Sequence, residues 1–150
     1  MEGLIEVLAV LLAALSAVTA LVGAWGWWQV RSLRPFWVLV RASQAAAISL
    51  AVGGGVAAIL GERPDDGLFW VYALVPIGVN VVAEQLRILS AQSVLDARGI
   101  ESAQALGGYS AAEQQSVVVA ILRRETGVMT LTAGVVCFLA LRALGTAAGF

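Results

Sequence analysis

The chain has 150 residues, 60% hydrophobic and 13% charged, with a formal net charge of −1 and a mean hydropathy of +0.89. These values lie far from the soluble average and argue against a water-soluble fold, and no basic surface interleaved with aromatics is present for nucleic acid. Histidine and lysine are absent and Cys137 is the single cysteine, so no intrachain disulfide and no His/Cys set for zinc or haem is available.

Four stretches reach the roughly 20 apolar residues that a helix needs to cross a bilayer core of about 30 Å. They run approximately over 4–25, 36–60, 68–89 and 126–144 and predict an all-α integral membrane protein, one four-helix transmembrane domain spanning 1–150. The N-terminus carries Glu2 and Glu6, acid where a secretory signal carries base, which predicts an uncleaved first span. Its Ala9, Ala13, Ser16, Ala20 and Gly23 recur at spacings of four and three, a small-residue face suited to close helix contact and, as an expectation, to a homo-oligomer.

Arginine placement sets the expected orientation. Arg31, Arg34 and Arg41 gather at the first connection, and Arg87, Arg98, Arg123 and Arg124 at the third, so both belong on the cytoplasmic side. The short acidic connection from Gly61 to Gly67, with Pro64 as a turn residue, then lies outside with both termini. Trp25, Trp27, Trp28 and Trp37 would belt the inner interface, and Phe69, Trp70 and Tyr72 the outer one. Arg142, near the outer end of the fourth stretch, snorkels to the headgroups. The expected home is the bacterial inner membrane, since the all-arginine basic set and abundant Ala, Gly and Val point to a GC-rich genome.

The third stretch carries Tyr72, Pro76, Asn80 and Glu84 four residues apart, a polar ladder within a span, with Pro76 expected to kink the helix. Beyond it, residues 90–125 read as a cytoplasmic helical hairpin made by extensions of helices 3 and 4. Arg98-Gly99 is a candidate C-cap and 101–106 a short separate helix, while Ser110-Ala-Ala-Glu113 forms a capping box that starts the fourth helix near Ala111. Gly127, Thr130, Gly134 and Cys137 give the fourth stretch a small face of its own, and Gly53, Gly54 and Gly55 stand near the outer end of the second.

Counting helical rise from the span ends places Arg41 and Glu84 at matching depths, roughly 8–9 Å inside, with Gln44 opposite Asn80 one turn deeper. An unpaired charge at that depth is costly, so Arg41 and Glu84 are expected to meet. With Arg87, Arg123, Arg124 and Glu125 at the same level, the set holds four Arg against two Glu, a match for phosphate or carboxylate oxygens. The competing reading is that the Arg41, Gln44, Asn80 and Glu84 belt fixes helix register and the other arginines meet anionic lipid nonspecifically.

No nucleophile with a base, no metal set and no recognisable carboxylate pair is present, and Asp65 and Asp66 on the outer turn supply too few ligands for a cation. The sequence therefore predicts a nonenzymatic protein without cofactor, binding or transporting a small or lipid-like anionic ligand near the cytoplasmic side. Membrane lipids, a second copy or a partner membrane protein are the expected partners. The alternative is an accessory or scaffold subunit that docks through the hairpin.

Overall fold

The computed structural model describes residues 2–31, 33–61, 67–102 and 104–147. Among them the chain forms four α-helices: α1 over Glu2–Gln29, α2 over Arg34–Ile59, α3 over Leu68–Asp96 and α4 over Ala111–Ala147. All four are long and apolar enough to cross a membrane. Glu62, Arg63, Pro64, Asp65 and Asp66, where an outer turn was expected, lie outside the described residues, as do Met1 and the last three positions.

The helices close a ring in chain order. α1 packs on α2 and α4, and α3 on α4 and α2, with almost nothing across the diagonal between α2 and α4. The seams are unequal: α1 with α4 and α3 with α4 are extensive, whereas α2 with α3 is sparse. Side-chain size explains the tight seams. Between α1 and α4 there is no room for a methyl group on Gly23, whose missing Cβ position is taken by Thr130 Oγ1 and a Phe36 ring carbon, and the same is nearly true of Gly127 against Trp27. Ala9 and Ser16 of α1 are fully buried beside Ala140 and Ala143 of α4, and Ser16 shares a buried 2.9 Å hydrogen bond with Ser43 of α2. Small residues bring backbones close enough for dispersion to hold apolar helices together where the hydrophobic effect does not.

The small face of α1 is thus consumed inside the monomer. Close approach was expected of it, but its partners are α4 and α2 of the same chain, so it supplies no argument for an oligomer. Of the other glycines expected to pack, Gly53 meets Leu8 and Gly54 meets Phe69, while Gly55 and Gly134 face open space.

The core is layered. Towards the end holding the α2–α3 connection it is built from Leu12, Ala47, Leu50, Phe69, Ala73 and Val136. Towards the arginine-rich end it is built from Phe36, Val40, Ala83 and Met129. A third cluster, Val94, Leu95, Ile100 and Val117, lies in the hairpin between α3 and α4. With 37 residues α4 is about 55 Å long, well beyond a hydrocarbon core of about 30 Å, so its first turns project past the spans together with the end of α3.

Local chemistry sets the hairpin's joints. Ile100 N donates to Leu95 O and Gly99 N to Asp96 O, each at 3.0 Å, with Gly99 at φ +66, and Ile100 packs back on Leu95: a Schellman ending. The Ser110 amide donates to Glu113 Oε2 at 3.0 Å and the Glu113 amide to Ser110 Oγ at 3.4 Å, closing the expected capping box. Ser110's hydroxyl and amide together hold this exposed carboxyl below its usual pKa. The helix expected over 101–106 is instead a single 3-10 turn at Ala105–Gly108, since Gly107 and Gly108 end any helix begun there. α3 runs unbroken through the buried Pro76.

Candidate binding site between α2 and α3

The sparse seam holds the polar residues. Trp37, Arg41, Gln44 and Ile48 recur on α2 at spacings of four and three, and Ile77, Asn80, Glu84 and Arg87 on α3 at three and four, so each set forms a stripe. The stripes face each other. Glu84 is their hub: its Oε1 accepts from Arg41 Nη1 at 2.8 Å and from Gln44 Nε2 at 3.0 Å, and its Oε2 meets Arg87 Nη2 at 3.2 Å. Arg41 Nη1 also donates to Gln44 Oε1 at 2.7 Å. The Arg87 guanidinium lies over the Trp37 ring, 5.1 Å from its centroid, adding a cation–π contact from α2.

Two donors in this cluster have no acceptor. Asn80 Nδ2 and Arg87 Nε are buried without a hydrogen-bond partner among the described residues. A buried donor left unpaired is costly, and the two flank Glu84 one turn on either side. Below the charged cluster the helices part around a cavity of about 200 Å³, lined by Gln44, Ile48, Ile77, Asn80, Val81 and Glu84. Ile48 and Val81 are more than half exposed on its lips, so it opens sideways.

The expected residues divide into two groups. Arg41, Gln44, Asn80, Glu84 and Arg87 come together, although Gln44 bonds to Glu84 rather than to Asn80. Arg123, Arg124 and Glu125 do not join them. Arg123 stacks over Trp27 of α1 at 5.5 Å, Arg124 donates to Ser93 Oγ at 2.6 Å, and Glu125 is half-buried on α4 with no ion pair among the described residues. Two things keep them apart: α4 is diagonal to α2, and Arg124 pairs with Ser93, nine residues or about 13 Å of helical rise beyond Glu84 on α3. The assembled charge is therefore two arginines on one carboxylate, an excess of one.

The polar ladder also turns. Four-residue steps drift about 40° each on a helix of 3.6 residues per turn, so Tyr72 and Glu84 point in directions roughly 120° apart. Tyr72 accordingly faces α4, under the Arg142 guanidinium at 5.6 Å, while Glu84 faces α2. Trp37 was expected only as part of an aromatic belt, and Ile48, Ile77 and Val81 were not singled out by sequence reasoning. Their signal is the helical spacing that links each of them to Arg41, Gln44, Asn80 or Glu84.

The arrangement is that of a four-helix protein with membrane-length apolar helices and a charged, side-opening cleft. No protein family, curated protein or solved structure matches the chain.

Proposed function

We propose that this is a nonenzymatic membrane protein that binds or transports a small or lipid-like anion at the α2–α3 cleft. In this reading the arginine-rich end and the hairpin are cytoplasmic, both termini lie outside, and the membrane is the bacterial inner membrane. The carrying observation is the Arg41–Glu84–Arg87 cluster, two cations sharing one carboxylate beside an open cavity. Of Arg41's five N–H donors only those on Nη1 are engaged among the described residues, which leaves a fork free for phosphate or carboxylate oxygens.

Native mass spectrometry of the protein released in mild detergent tests this reading. A retained anionic adduct that disappears in Arg41→Ala is the expected result. A bare protein, or an adduct indifferent to Arg41→Ala and Arg87→Gln, would reduce the cluster to a device that fixes helix register.

A second reading, an accessory subunit docking through the hairpin, draws on Tyr109, Val118 and Val119, which are exposed on the part that projects beyond the spans. It expects a stoichiometric membrane partner that Val118→Glu releases. A homo-oligomer, if formed, must use surfaces other than the small face of α1.

A further inference from the structure

The cleft has a direction. At its arginine-rich end stand Gln44 and Glu84, with Arg41 and Arg87 bound to Glu84 just outside; one turn deeper Asn80, with its unpartnered amide, stands level with Ile48 and Val81, and Ile77 lies a turn deeper still. A phospholipid carries the same sequence of chemistries along its length: a charged phosphate, a carbonyl acceptor at the chain linkage, then hydrocarbon. The cavity of about 200 Å³ is also smaller than the roughly 300–1,000 Å³ that encloses a drug-sized soluble ligand, so it takes part of a molecule and leaves the rest outside. Its opening is lateral, between half-exposed Ile48 and Val81, where the rest of such a molecule would lie in the surrounding acyl chains.

We infer that the guest is a phosphate-bearing lipid that enters the α2–α3 cleft from the side. The phosphate takes the free N–H groups of Arg41 and Arg87, the linkage carbonyl accepts from Asn80 Nδ2, and one acyl chain runs between Ile48, Ile77 and Val81. The site's excess of one positive charge suits a phosphodiester or phosphomonoester. This rests on the reading above, that the Arg41–Arg87 cluster binds an anion, and adds which anion: one with a hydrocarbon chain attached.

The test is native mass spectrometry of the full chain in detergent, titrated with three probes: dioctanoyl phosphatidate, glycerol phosphate and dioctanoylglycerol. Phosphatidate is expected to bind at least about tenfold more tightly than either of the others, because only it fills both halves of the cleft. Asn80→Leu should weaken phosphatidate about fivefold, the loss of one hydrogen bond. Ile48→Trp and Val81→Phe, on opposite lips and both more than half exposed, should weaken it further by closing the opening, at unchanged thermal unfolding; either variant suffices if the other melts early. Glycerol phosphate binding as tightly as phosphatidate, and lost in Arg41→Ala, would overturn the lipid while sparing the anion site. Binding of neither phosphate would overturn both. Phosphatidate binding indifferent to Asn80, Ile48 and Val81 would place the lipid elsewhere and overturn the inference.

Discussion

Glu84 receives three interactions from two helices, and each partner has a distinct role. Arg41 and Gln44 tie its Oε1 to α2, while Arg87 holds Oε2 from within α3 and is itself braced by Trp37. A carboxylate among apolar helices is tolerated in its ionised form only with such partners. In a double-mutant cycle with Arg41→Gln and Glu84→Gln, followed by denaturant unfolding in detergent, the two changes should couple by about 1 kcal/mol. Arg41 is 59% exposed, which keeps the coupling towards the modest values of open ion pairs. Strictly additive losses would mean that the 2.8 Å contact contributes nothing to stability. The pair was legible in the sequence because helical rise converts residue number into height, and two charges of opposite sign at one height within the spans attract. Which helices are neighbours and how far α4 is offset along them were not legible, and so Arg123 and Arg124 were expected beside Glu84, whereas Arg124 sits beside Ser93, nine residues further along α3.

At the scale of elements, helix ends divide the chain into joints that obey local rules and one that breaks them. α3 ends on Gly99, whose φ of +66 costs a glycine nothing. α1 ends in the same pattern, with Arg31 N donating to Gly26 O at 3.0 Å and Val30 N to Trp27 O at 3.3 Å, but the left-handed residue is Val30, at φ +52. A β-branched side chain in that conformation is strained. Val30→Gly should therefore stabilise the protein, and Gly99→Val should destabilise it, each by about 1–2 kcal/mol in thermal or denaturant unfolding. A destabilising Val30→Gly would show that the valine side chain makes packing contacts worth more than the strain. The capping box at Ser110 and the Schellman ending at Gly99 were readable because they depend on residues within six positions of one another. The α1 ending was hidden because valine carries no signal for a left-handed turn.

For the whole molecule, the unequal seams connect packing to the proposed role. Glycine, alanine and serine let α1 close tightly on α4, whereas the α2–α3 seam is held apart by large polar side chains and stays open at its side. Hydropathy alone reveals four spans, since length and apolar content decide whether a helix can cross a membrane, but it says nothing of which helices are neighbours. The small face of α1 shows this limit: close contact was legible, its partner was not. Orientation is the remaining whole-molecule expectation, and it rests on the arginines. Arg31, Arg34, Arg41, Arg87, Arg98, Arg123 and Arg124 all lie near or beyond the end where α1 meets α2, a bias expected to keep that end in the cytoplasm. In a Cys137→Ser background, single cysteines at Gly3 and at Thr146 should react with a membrane-impermeant maleimide applied to intact spheroplasts. A cysteine at Gly107, in the exposed 3-10 turn of the hairpin, should react only after lysis. Labelling of Gly107 in intact cells with protection of the other two would invert the protein, and would put the Arg41–Arg87 cluster in the outer leaflet, where a different set of lipids would meet it.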